Sequence, residues 1–178
     1  RSDPRPVSFC SGASSQELQH DLAPVRPHAM LGDIDPLPGA ERHFACQHLR
    51  PDYYAQPQYM QHANTARAVA DVWIVADRAA QIALHVAAFV GGRGTPEAGT
   101  ITFATPSGKI VLCNPDSFAA AFGVAPPHFD DGPHLAGLTI ACESLDHLRE
   151  RGLDQVGNRL VLPPARAHGV ALGFSKAG

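Results

Sequence analysis

A cysteine and a histidine lie close together in a short segment that has the composition of a β-strand. Cys46 and His48 are two residues apart within residues 43–49 (HFACQHL), so both side chains would face the same side of a strand. A thiol beside an imidazole can act as a nucleophile, because the imidazole removes the proton that keeps sulfur unreactive. No third group that would orient the imidazole is identifiable, and burial of a free thiol is the commoner outcome. Cys46 and His48 are therefore ligand-pocket candidates, with a core position as the alternative.

Two histidines, His48 and His62, flank a loop that contains three tyrosines. An imidazole changes its charge near neutral pH, so such a pair can serve as a general base or as metal ligands. The alternative is that each imidazole hydrogen-bonds the backbone and fixes the connection between two parts of the chain. The sequence contains no glycine-rich phosphate loop, no GxSxG elbow and no HExxH helix, so it does not support the enzyme classes that depend on these motifs.

The composition is that of an ordinary globular protein: 44% of the 178 residues are hydrophobic and 17% are charged. The net charge is −3 and lysines and arginines are not clustered, so a nucleic-acid partner is not expected. Apolar runs end well before 18 residues, so a membrane span is not expected either. The four cysteines lack metal-site spacing and indicate free thiols in a cytoplasmic protein. Twelve of the 14 basic residues are arginine, which is typical of a GC-rich bacterial coding sequence.

The chain divides into an irregular first part and a regular second part. Residues 1–40 contain six prolines, which remove ladder donors and disfavour helix, so this stretch is predicted to be loop. The first residue is Arg1, and we interpret residues 1–67 as an arm lying across the domain or as the remnant of an upstream module. Residues 68–178 form the predicted domain, with a first module at 68–123 and a second at 124–178.

The same order of elements is predicted twice within the regular part. In the first module, apolar periodicity and turn residues predict strand 69–76, helix 78–90 capped by Asp77, and strands 101–104 and 109–113. Asn114, Pro115 and Gly123 bracket a short helix at 116–122. In the second module, the patterns predict strand 135–142, a helix that Ser144 caps and that runs to Arg151, and strands 155–156, 159–162 and 169–174. Strand, helix, then a meander of strands, repeated within about 105 residues, indicates paired βαβββ modules in an α+β fold.

These modules resemble the vicinal oxygen chelate superfamily, which includes glyoxalase I, bleomycin-resistance proteins and extradiol dioxygenases. More narrowly, the chain is similar to bacterial glyoxalase-like domain proteins. The resemblance covers residues 42–175 and rests on four segments: FACQHL (44–49), QHANTARAVADVWIVAD (61–77), ITFATPSGKIVLCNPDSFAAAFG (101–123) and LPPARAHGVALGF (162–174). The family pattern HPNG reads HANT at residues 62–65, so a role assigned to that loop by analogy is weakened.

The resemblance implies a cup-shaped, mixed but mostly antiparallel sheet, with helices on its convex side and a ligand chamber inside. Strand alternation then places Val72 and Ile74 toward a helix, and Asp71, Trp73 and Val75 toward the chamber. Aromatic walls for a ligand could come from Trp73, Phe103 and Phe174, although alternation places the two phenylalanines more naturally in the core.

Metal-dependent members of the superfamily take ligands from the first and last strands of each module. Matching strands by their apolar pattern puts these positions at Asp71, Val111, Gly137 and Ala171, of which Asp71 alone could bind a metal. We therefore expect no metal and no other cofactor, unless ligands come from outside residues 69–175 or from an atypical set.

The predicted function is that of a glyoxalase-like protein that binds a small molecule, with Cys46, His48, His62, Asp71 and Trp73 as pocket candidates. If the protein is an enzyme, its chemistry would be of lyase, isomerase or dioxygenase type on a small oxygenated metabolite. One alternative is a non-catalytic binder of the bleomycin-resistance kind, and another is a degenerate domain retained for dimerisation. A homodimer is consistent with the resemblance.

Overall fold

A computed structural model describes residues 56–127 and 132–178. The strands are β1 (Ala66–Val75), β2 (Thr95–Glu97), β3 (Thr100–Thr105), β4 (Gly108–Cys113), β5 (His134–Cys142), β6 (Asp154–Val156), β7 (Arg159–Leu162) and β8 (Ala171–Lys176). The helices are α1 (Pro57–Met60), α2 (Ala79–Val90), α3 (Pro115–Phe122) and α4 (Asp146–Glu150), with a 3-10 turn at Pro164–Arg166. Among the described residues, no helix combines the length and apolarity that crossing a bilayer needs.

All eight strands form one open sheet in the order β2-β3-β4-β1-β5-β8-β7-β6. The first strand of each module runs parallel to its last strand, β1 beside β4 and β5 beside β8. All other neighbours are antiparallel, including the central pair β1–β5 that joins the modules. The predicted α+β fold, with paired modules and a mixed, mostly antiparallel sheet, is confirmed.

The ends of the elements follow local chemistry that the sequence predicted in part. The Asn114 side chain accepts a hydrogen bond from the Ser117 N–H at 2.8 Å, and Gly123 ends the same helix with a φ of 69°. The predicted cap at Asp77 is wrong, because α2 follows Arg78 and no side chain caps it. Strand β2 was not predicted, since its three residues, TPE, have no alternating pattern.

One face of the sheet, which we call the Ile74 face, packs against α2 and α4. Ile74, Phe103 and Leu112 are buried there against Ile82 and Val86 of α2. In the second module, the core on this face contains one residue from each of four elements: Cys142 of β5, Leu160 of β7, Phe174 of β8 and Leu148 of α4. The predicted positions of Phe103 and Phe174 in the core are confirmed, and α2 and α4 share one side of the sheet, as predicted.

The opposite face, called the Trp73 face, carries Asp71, Trp73 and Val75, and the predicted strand alternation is confirmed. Helix α3, the second helix of the first module, packs on this face, so the prediction that the helices lie on the convex side is wrong for α3. Its Phe118 and Phe122 are fully buried in a cluster that includes Trp73. The centre of the expected chamber is therefore filled by a helix, and open space remains beside it.

The predicted strand at residues 43–49 lies outside the described residues. The division into an arm of residues 1–67 and a domain of residues 68–178 stays a prediction.

Candidate functional site

A pocket of about 350 Å³ opens on the Trp73 face, over the strands of the first module. Strand register explains why its residues meet: Trp73 lies beside Val111, which faces Thr102, which faces Thr95. Since neighbouring residues across a sheet point to the same side, this row forms the floor of the pocket. The lining residues are Asp71, Trp73, Thr95, Glu97, Thr100, Thr102, Lys109, Val111 and Arg159. We call this cavity the Trp73 pocket.

Arg159 reaches the pocket from the other module, across the sheet. It begins β7, and its stem passes over Gly173 of β8, where an added Cβ would lie 3.0 Å from Arg159 Cδ. Its Nη2 ends 3.9 Å from Asp71 Oδ2 on β1. In the strand order, β7 and β1 are separated by β8 and β5, three spacings that amount to about 14 Å in a flat sheet. An arginine and an aspartate meet over that gap because the sheet curls toward its Trp73 face.

Charged side chains lie around Asp71, at the side of the pocket that we call its inner end. Its side chain is 16% exposed, and Arg159, which is 21% exposed, is its ion-pair partner. Lys109 is its direct neighbour on β4 in the strand register, and is exposed at the rim. Glu97 lies three strands away on β2. Asp71 thus has the partly buried Arg159 as its ion-pair partner and the exposed Lys109 beside it on the sheet, while the second acid lies at the opposite side.

Trp73 is held rigidly as one wall of the pocket. Its indole N–H donates a hydrogen bond to Thr139 Oγ1 at 3.0 Å, and Thr139 is itself 2% exposed. The edge of its ring meets Phe122 at a centroid distance of 5.4 Å and an interplanar angle of 87°. The Arg159 guanidinium lies 5.3 Å from the Trp73 centroid and 5.9 Å from that of Phe122, so both rings also fix the arginine.

The four positions at which the resemblance would place metal ligands do lie on the Trp73 face. Val111 and Ala171 belong to the buried cluster beneath Phe118 and Phe122. At Gly137 an added Cβ would lie 2.9 Å from Phe122 Cζ and 3.0 Å from Phe118 Cε2. Phenylalanine rings therefore occupy the space that a shared metal centre would need. Within residues 56–127 and 132–178, no group of three or more His, Cys, Asp or Glu side chains is placed to hold a metal ion.

Of the five residues predicted from the sequence to line a ligand pocket, only some lie in this one. Asp71 and Trp73 come together in the pocket. His62 is exposed in the turn before β1, where its carbonyl accepts from the Thr65 N–H, and it does not line the pocket. Cys46 and His48 lie outside the described residues.

Sequence reasoning missed the two cations and the threonines of the pocket. Arg159 lies two residues before Val161, which is buried on the Trp73 face, so alternation alone could have placed it on that face. Its contact with Asp71, however, depends on the strand order and the curl of the sheet. The threonines are on the pocket floor because β3 pairs with β4 in a register that the sequence does not reveal.

The described thiols are unsuited to nucleophilic chemistry. Cys113 and Cys142 are both buried and free. Burial raises the pKa of the Cys113 thiol to about 12, and it raises the pKa of Cys142 as well. A protonated thiol is a poor nucleophile, so neither residue can act as one at neutral pH.

A second cavity of about 350 Å³ lies near the end of the chain, lined by Pro127, Pro164, Ala165, Arg166, His168 and Gly169. Its two side chains that could carry charge, Arg166 and His168, are exposed. It therefore lacks the buried, ring-fixed polar group that distinguishes the Trp73 pocket, and we consider the latter the better candidate.

No family model and no curated protein matches this sequence. Several solved structures have a similar path of the chain, among them two epimerases. One is the methylmalonyl-CoA epimerase from Mycobacterium tuberculosis, with a TM-score of 0.49 and 17% identity over 69% of this chain and 97% of that one. The other is also described as a methylmalonyl-CoA epimerase, with a TM-score of 0.44 and 11% identity over 66% of this chain and 99% of that one.

Proposed function

We propose that this protein binds a small oxygenated metabolite in the Trp73 pocket. The observation that carries the proposal is the combination, in one cavity of about 350 Å³, of a rigid aromatic wall with charged and hydroxyl groups. Small-molecule sites in proteins combine apolar surface, here Trp73 and Val111, with polar groups that select the orientation of the ligand. Thr95, Thr100 and Thr102 supply hydroxyls, which suit the oxygens of such a ligand.

The test uses Trp73, which is the single tryptophan of the chain and lines the pocket. Small carboxylates, their amides and polyols are titrated while the intrinsic fluorescence is recorded. We expect a saturable change with at least one of these compounds. Thr102→Phe would fill the pocket and weaken binding at least about tenfold, since a ligand cannot share the space. Ser107→Phe, in the exposed turn before β4, is the matched control and should bind normally. A protein that responds to none of these compounds would refute the proposal.

Asp71 favours a second function, proton transfer of the isomerase or lyase type. A carboxylate that is 84% shielded and lines a pocket can remove a proton from carbon next to a carbonyl group. The test is exchange of such protons into deuterated water, followed by NMR with each compound that binds. Catalysis predicts exchange that Asp71→Asn abolishes although the compound still binds. If no bound compound exchanges faster than it does in buffer, the protein is a binder and not an enzyme of this type.

A further inference from the structure

We propose that the ligand of the Trp73 pocket is a carboxylate anion, and that Arg159 is the residue that selects it. This inference rests on the proposed function, because it names the chemical class of the molecule that the pocket binds. Three features carry it: two cations beside Asp71, an arginine that two aromatic rings hold at the pocket, and an ion pair that is too long to be a hydrogen bond.

The charge around Asp71 follows from the positions of the side chains. Arg159 and Lys109 both adjoin Asp71, and the other acid of the pocket, Glu97, lies three strands away on β2. Asp71 is therefore flanked by two positive charges, the partly buried Arg159 and the exposed Lys109. Lys109 is in contact with solvent, whereas Arg159 is partly buried and its acid lies 3.9 Å away, so a ligand that brings a closer negative charge would stabilise Arg159.

Arg159 is fixed in place but its hydrogen-bonding capacity is not used. Cation–π contacts with the Trp73 and Phe122 rings, at 5.3 and 5.9 Å from the ring centroids, hold the guanidinium group. The Nε atom is buried and has no hydrogen-bond partner among the described residues. The Nη2 atom is 3.9 Å from Asp71 Oδ2, beyond the 3.2 Å or so of a charge-assisted hydrogen bond. A guanidinium offers a planar fork of donors that matches a carboxylate. Because Nε is buried, the Nη atoms of Arg159 are the donors that a ligand in the cavity would meet.

Asp71 then acts as an internal competitor for Arg159. It neutralises the arginine in the empty pocket, and its negative charge opposes an incoming carboxylate a few ångströms away. Replacing Asp71 by asparagine should therefore strengthen binding of a carboxylate, about tenfold. The same change should leave the affinity for a neutral amide nearly unaltered. An Asp71 that contacted the ligand as an acceptor would give the opposite result.

The experiment compares matched pairs of ligands by isothermal titration: acetate with acetamide, lactate with lactamide, and phenylacetate with phenylacetamide. We expect the carboxylate of at least one pair to bind about tenfold more tightly than its amide, with an affinity that falls as salt is added. Arg159→Met should abolish that preference, while Arg151→Met, an exposed arginine after α4, should keep it. Arg159→Lys keeps the charge and loses the fork, so it should retain only part of the preference.

Several results would overturn the inference. Amides that bind as tightly as carboxylates would disprove it, and the proposed function would stand. The same holds if Arg159→Met and Arg151→Met leave equal preferences, or if Asp71→Asn weakens carboxylate binding. Should Arg159→Met fail to fold, the salt dependence in the unaltered protein and the Arg159→Lys variant still decide the question. If neither member of any pair binds and polyols also fail, the proposed function itself is wrong.

Discussion

Gly137 lies on β5 directly beneath the two phenylalanine rings of α3, and its replacement by alanine tests how this helix fills the centre of the sheet. A Cβ at this position would lie 2.9 Å from Phe122 Cζ, 3.0 Å from Phe118 Cε2 and 3.2 Å from Phe122 Cε2. Both rings are fully buried and stack on each other at a centroid distance of 4.6 Å, so neither can simply rotate away. The helix must shift, or the rings must leave their preferred rotamers.

The expected loss of stability follows from two opposing terms. An extra methyl in a well-packed core costs about 1–3 kcal/mol, and contacts at 2.9 Å to immobile rings favour the upper half of that range. Alanine is better than glycine in a strand by about 0.5–1 kcal/mol, because the unfolded chain has less freedom to lose. We therefore expect Gly137→Ala to lower the free energy of unfolding by about 1–2 kcal/mol.

Urea unfolding followed by Trp73 fluorescence measures this change, since Trp73 touches Phe122 and reports directly on the cluster. Gly92→Ala is the control: an added Cβ meets nothing within 4 Å there and no left-handed φ is required. This control should be neutral or slightly stabilising. Equal stabilities for the two variants would refute the packing of α3 on the Trp73 face.

Two further predictions concern buried groups near the same cluster. Thr139→Val removes the acceptor of the Trp73 indole N–H and should lower the free energy of unfolding by about 1–3 kcal/mol, whereas Thr139→Ser should retain most of the stability. Urea unfolding of both variants decides this, and equal loss in both would contradict it. For Cys113, the native thiol keeps its proton up to about pH 12, but the unfolded thiol loses it near its ordinary pKa of 9.0. The native state then binds more protons, so stability is complete below pH 9 and falls as the pH rises from 9 toward 12. Cys113→Ala should reduce that fall between pH 8 and pH 10, and an unchanged slope would show that this thiol does not contribute.

The fold could be predicted because its signals are local and periodic. Alternation along β1 was sufficient to separate Val72 and Ile74 from Asp71, Trp73 and Val75, and the structure places the two sets on opposite faces. The cap at Asn114 and the glycine at 123 fixed α3 to within a residue, because capping depends on groups only three or four positions apart. The sequence did not indicate on which face of the sheet α3 packs. That choice depends on the small residues of β5 and β8, which are distant in sequence.

The site was less predictable, since its members come from strands far apart in the chain. Asp71 and Trp73 could be predicted to lie together because they share a strand and a face. Arg159 was missed because its contact with Asp71 requires a reach over Gly173 and a curled sheet, neither of which leaves a periodic signal. His62 was chosen for its chemistry, yet it lies exposed outside the pocket, in the turn that precedes β1. Residue type alone is therefore a weaker guide to a site than position on a face.

The centre of the sheet holds α3 and has no His or Glu at the positions where metal ligands were expected. Both features have one physical cause. Gly137 and Gly173 leave room for Phe122, whose ring atoms would lie within 3.2 Å of a Cβ at either position. A histidine or glutamate at Gly137 would collide with the rings and would place a polar group among them without a partner, at a cost of several kcal/mol. The two arrangements therefore exclude each other: the sheet can hold a central polar site or the helix. With the helix in place, Asp71 is the one carboxylate among the four positions, and it is tolerated because Arg159 neutralises it. That neutralisation brings a guanidinium to the wall of the remaining cavity, so the filling of the centre and the chemistry of the side pocket are linked.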